Sequence, residues 1–227
     1  MIFDFQEYFE KFSGIKANEI GNAVVIAIVT AAVFTLAFPE RSLYALSYDI
    51  FMLPKPGSEI ALLVGPVAIL SAYLAYSINP RPGIIIFNLG MYAIAMPAFQ
   101  LALNPEGLGA YPYFLNLLAI LVLTVILEAT VFFFSKWETV QSLALPALIS
   151  NIALLLFYWL LVFPFQDDVW PVKSSVSPNG ASTMLEYISP IPMVLGVAMV
   201  GAIVIGALIP ILLKILVFKK KRASESA

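Results

Sequence analysis

Long apolar runs, broken by short polar punctuation, recur along the whole chain. They lie at Ile20–Phe38, Ile60–Ile78, Ile84–Leu103, Tyr113–Phe134, Leu143–Phe163 and Ile188–Phe218. A helix needs about 20 apolar residues to cross a hydrocarbon core of ~30 Å, and these runs reach that length. Lipid offers the backbone no hydrogen bonds, so the chain must satisfy its own, which favours helices. A transmembrane β-barrel would alternate apolar and polar positions, and these runs are continuous. The pattern predicts an all-α polytopic membrane protein, a bundle of six transmembrane helices. Proline and glycine mark the breaks. Pro39-Glu40-Arg41 stops the first span, and Asn79-Pro80-Arg81-Pro82-Gly83 stops the second. Gly65-Pro66 opens the second helix, Pro97 reads as a kink, and Pro146 lies near the start of the fifth span. Pro190, Pro192 and Pro210 tilt or break the long last stretch.

Ahead of the first span the pattern changes. Ile2, Phe5, Phe9 and Phe12 recur at helical spacing among charged residues, and Ser13-Gly14 ends the series. That spacing predicts an amphipathic helix over 1–18, lying in the membrane interface. Residues 19–218 then form the transmembrane domain, and 219–227 a basic tail. Tyr111, Tyr113, Trp137, Trp159, Trp170 and Tyr187 cluster at span ends as an interfacial belt. With both termini cytoplasmic, nine Lys and Arg residues fall inside and three (Arg41, Lys55, Lys173) outside. This bias sets the orientation and places the protein in the cell membrane as a multi-pass protein.

Composition agrees: 61% of residues are hydrophobic and 11% charged, less than half the charged share of a typical soluble domain. The chain has no cysteine and no histidine. That removes disulfides, thiolate chemistry, histidine triads and histidine proton relays. No metal cluster, nucleotide fingerprint or phosphate loop stands in the sequence, so no cofactor and no catalytic residue is expected. The net charge of −2 suggests no nucleic-acid partner. The expected partners are the bilayer, other membrane subunits and a small-molecule ligand.

Within the spans, polar positions are few. Glu128 is the one acidic residue deep in a run, in LVLTVILEATVFFF. An intramembrane carboxylate marks a functional position or fastens its helix to a neighbour, and both readings stand. Thr124, one turn earlier, is placed to bond it. Asn88, Gln100, Asn116, Ser150 and Asn151 are expected to face the bundle interior as interhelical contacts. Small residues recur every fourth position as Ala23, Ala27, Ala31 and as Ala198, Ala202, Gly206. Such stripes let helices approach closely, either within the bundle or against another subunit.

The six-span layout, the alanine stripe of span one and the segment LPKPGSEIALLVGP (53–66) resemble the S components of energy-coupling-factor vitamin transporters. The resemblance implies a small-solute, vitamin-like uptake subunit working with an ATPase and a coupling subunit. It implies that Ala23, Ala27 and Ala31 dock on the coupling subunit. It further implies a ligand pocket beneath the long first outside loop, drawing by position on Tyr48, Asp49, Asn151, Tyr158 and Trp170. Two other readings stay open: a non-catalytic accessory subunit of a larger membrane complex, and an intramembrane enzyme centred on Glu128.

Overall fold

The computed structural model describes residues 5–37, 64–103, 113–134, 141–162, 196, 199 and 200. Side chains at 113–118, 141, 142, 155 and 158–162 lie outside that description. Among the described residues there are six helices and no strand: α1 (Phe5–Ser13), α2 (Ala17–Ala37), α3 (Gly65–Ile78), α4 (Ile84–Leu103), α5 (Tyr113–Phe134) and α6 (Gln141–Val162). Two of them, α2 and α4, are long and apolar enough to cross a membrane. The expected last span, Ile188–Phe218, the tail 219–227 and the stripe Ala198, Ala202, Gly206 lie outside the described residues.

Helix α2 starts three residues before the apolar run because its first turn is polar and capped. The Glu19 carboxylate reaches back to accept the Lys16 backbone N–H at 2.8 Å, one half of a capping box. Helix α3 opens on Gly65-Pro66, with proline in the first turn where its missing N–H costs nothing. The next break is a reverse turn. Ile84 N–H donates to Arg81 C=O across Pro82-Gly83, and Gly83 has φ +92°. Proline followed by a positive-φ glycine is the type II arrangement.

Helix α4 sits centrally, packing against α2, α3 and α5, and α6 packs on α5 and more lightly on α3. The turn joins the end of α3 to the start of α4 at one end of the bundle. Helix α1, the start of α2 and the end of α5 meet that turn.

The apolar surface of α2–α6 runs all round each helix, yet burial follows helical periodicity. In α2, Ala23, Ala27, Ala31, Phe34 and Thr35 are buried, while Val25, Ile28, Val29, Val33 and Leu36 are exposed. In α5 the buried set is Ala119, Ile120, Leu123, Thr124, Leu127, Glu128, Val131 and Phe132, with Leu121 and Val125 outside. The small side chains therefore point inward and the large aliphatic ones outward along α2.

Several polar side chains in the helices are satisfied locally or across one contact. Thr30, Thr35, Thr124 and Thr130 each donate to the carbonyl four residues back in their own helix. This corrects the expectation for Thr124: its hydroxyl serves Ile120 C=O at 2.7 Å and does not bond Glu128. The back-bond is intrahelical and already formed, so no swing toward the carboxylate is needed. Asn88 is fully buried and its Nδ2 donates to Ala23 C=O at 2.8 Å, tying α4 to α2. Tyr73 Oη donates to Leu143 C=O, tying α3 to α6.

Candidate functional site

At the end of the bundle where α1 lies, polar groups converge on Glu128. The side chain is 5% exposed. Its Oε1 accepts from the backbone N–H of Gly83 and from Tyr8 Oη, the latter at 3.3 Å. The backbone N–H groups of Ile85 and Ile86 also face the carboxylate. These are first-turn amides of α4, which have no partner inside their own helix. Glu128 on α5 thus caps the N-terminus of α4 from a neighbouring helix. An anion at a helix N-terminus in a partly buried setting contributes up to ~2 kcal/mol. Its second oxygen, Oε2, is buried without a hydrogen bond among the described residues.

Gly83 is held there by backbone and by space. Its φ of +92° disfavours any side chain, and a Cβ would lie 2.5 Å from the Phe12 ring and 2.8 Å from Ile15 Cδ1. The missing side chain lets Phe12 lie directly on the turn. Phe12 stacks on Phe87 with centroids 6.1 Å apart, and Tyr8 stacks on Phe12 and meets Phe132 edge-on at 5.2 Å. Helix α1 is therefore fastened to the bundle through Tyr8 and Phe12. The apolar stripe read from the sequence divides: Phe12 turns inward, and Phe5 and Phe9 remain exposed. The inward edge needs Tyr8, because the phenol alone can reach the carboxylate.

Two ion pairs frame this docking. Arg81 Nη1 donates to Gly14 C=O at 2.8 Å, and Arg81 Nε lies 3.3 Å from Glu19 Oε1. One arginine in the α3–α4 turn thus holds the link between α1 and α2. Lys11 pairs with Glu7 at 2.7 Å and lies 5.9 Å from the Phe132 ring centroid. Burial, then the charge and hydrogen bond of Glu128, push the Tyr8 phenol well above its ordinary value. Tyr8 therefore stays protonated and donates.

These groups border a cleft of ≈ 430 Å³ whose walls include Glu10, Lys11, Tyr76, Arg81, Glu128 and Phe132. The volume falls within the range of small-molecule sites, about 300–1,000 Å³. Among the described residues no group of three or more Asp or Glu side chains is placed to hold a metal ion.

The residues singled out from sequence are dispersed. Ala23, Ala27 and Ala31 are buried against the chain's own helices, so this face is covered within the molecule. The resemblance assigns this stripe to docking on a coupling subunit; here it packs against α3 and α4. Asn88 is buried in the α2–α4 contact, and Asn151 is buried in α6. Tyr48, Asp49 and Trp170 lie outside the described residues, as do the side chains of Asn116 and Tyr158. The polar cluster instead gathers Tyr8, Gly83 and Arg81 around Glu128. Only Glu128 of these carries an evident sequence signal; Pro82-Gly83 signals the turn but not its partner. No protein-family model, curated protein or solved structure matches this chain.

Proposed function

We propose that the chain is a multi-pass helical membrane protein, with both termini cytoplasmic, that serves as a non-catalytic membrane subunit. One observation carries the membrane part: α2 turns alanines inward and Val25, Val29, Val33 and Leu36 outward. In water that face would be a large apolar patch of the kind monomers avoid. In lipid it costs nothing, and small residues at the interface allow close helix approach. Helices α5 and α6, at 22 residues each, have the length to span beside α2 and α4. The non-catalytic part is supported by Glu128, whose carboxylate is engaged in joining α1, α4 and α5.

Small-solute uptake is the second reading, favoured by the cleft at the inner end of the bundle. On this reading the alanine stripe does not supply the coupling surface, and another face must.

The test is solubilisation from membranes in mild detergent, followed by mass spectrometry of everything that copurifies. Recovery from the membrane fraction with fixed-ratio protein partners is the expected result. Recovery in the soluble fraction overturns the membrane reading, and a partner-free protein overturns the subunit reading. Copurifying ATPase and coupling subunits decide for uptake.

A further inference from the structure

We infer that the cleft beside Glu128 binds a small zwitterion, a primary ammonium joined by a short linker to an anionic group. The inference rests on the membrane reading, which sets the cleft at the cytoplasmic interface. Four observations carry it. Glu128 is 5% exposed and lines the cleft, and its Oε2 has no hydrogen bond among the described residues. A buried carboxylate oxygen left without a donor is costly; Oε2 is closed to water as placed, so a small turn of the Glu128 side chain toward the cleft lets a ligand N–H supply the missing donor. The Phe132 ring and the Tyr76 side chain stand on the same walls, a setting that favours a compact cation. Opposite charge stands on these walls too. Arg81 uses Nε for Glu19 and Nη1 for Gly14 C=O, which leaves its Nη2 edge for an anion, and Lys11 stands on the same rim. Finally, the cleft lies under α1, whose exposed Phe5 and Phe9 would enter the lipid interface alongside it.

Two sources carry this chemistry: the headgroup of an ethanolamine phospholipid, or a free solute such as an amino acid or phosphoethanolamine. A trimethylammonium headgroup does not fit, since it has no N–H to give Oε2.

The test uses the full-length protein in detergent micelles. Phosphatidylethanolamine, its N-monomethyl form and phosphatidylcholine are added in equal amounts, and retained lipid is read by native mass spectrometry. Retention should fall along the series, with about tenfold between the ends, the value of one charge-assisted hydrogen bond. Glu128→Gln should level the series while Lys16→Gln, at an exposed residue outside the cleft, leaves its order intact. Should Glu128→Gln not fold, the methylation series on the unaltered protein decides alone. Displacement of the lipid by millimolar phosphoethanolamine assigns the site to a soluble zwitterion. Failure to displace assigns it to lipid. Equal retention across the series, or no retention together with no phosphoethanolamine binding, overturns the inference. Recovery of the protein from the membrane fraction is scored separately, so a failed ligand test leaves the membrane reading standing.

Discussion

The middle of the bundle and its α1 end hold helices together by different means. In the middle, α2 meets α4 through alanines, and the one side-chain hydrogen bond shown between them is Asn88 to Ala23 C=O. At the α1 end, a carboxylate, a phenol, an arginine and a turn glycine join α1, α3, α4 and α5. The first contact works by removing side chain, the second by matching donors to acceptors. In lipid, apolar contact between helices gains little over contact with solvent chains, so closeness must come from small size. On the proposed membrane reading the α1 end lies near the interface, where water competes for polar groups and only convergent, partly buried ones hold.

Substitutions can break this contrast at either end. Gly83→Ala should cost most, about 2–5 kcal/mol, from the left-handed backbone and the collision with Phe12 together. Heating the purified variant in detergent and scoring the monodisperse fraction by size exclusion reads the loss. Glu128→Leu comes next, at about 2–4 kcal/mol, because it strands the Gly83 N–H and removes the acceptor that Glu128 offers the Tyr8 hydroxyl. Glu128→Gln, which still offers a carbonyl acceptor, should lose clearly less in the same assay. Equal stability of the two would remove the capping role. Ala27→Leu tests the middle: a fully buried stripe position should lose about 1–3 kcal/mol by overpacking. Leucine at the exposed neighbour, Val29→Leu, should stay within about 0.5 kcal/mol.

The smallest loss expected among the docking contacts concerns Tyr8. Tyr8→Phe removes one hydrogen bond and should cost about 1 kcal/mol. It should also change the alkaline limit of α1 docking. The phenol value is raised in the folded protein above about 10, its unfolded value. The docked state then binds more proton than the free one, and the Tyr8 contribution is complete below pH ~10 and lost above it. Protease cleavage near Gly14 should therefore rise above pH ~10 in the unaltered protein. In Tyr8→Phe the rise should be absent. An alkaline rise of the same size in both would show that Tyr8 does not hold α1.

The helices were legible in the chain because a continuous apolar run of this length has few other solutions. Their inward faces were not. Helices α2–α6 are apolar all round, so hydrophobicity carries no direction there, and only the alanines of α2 pointed to a contact face. Glu128 stood out by its chemistry, but its partners lie 45 and 120 positions away at Gly83 and Tyr8. A backbone N–H leaves no mark in a side-chain pattern, and Tyr8 sits between the phenylalanines that define the amphipathic stripe. Reversing direction at each span would have placed α1, the 79–83 turn and the end of α5 at one level. Topology fixes that level, whereas the pairing itself depends on the tertiary fold. The cleft is of the same kind, since its walls come from residues 10 to 132.

The order of Glu128 and its partners along the chain has a consequence for biogenesis. Tyr8 and Gly83 both precede it. Synthesis runs from the N-terminus, so the α3–α4 turn has left the ribosome before α5 does. On the proposed membrane reading, a carboxylate entering the bilayer alone would face a penalty that reaches about 2.5–3.5 kcal/mol at mid-span. Here the receiving amides are made first, and the charged helix arrives at a neighbour already equipped to take it.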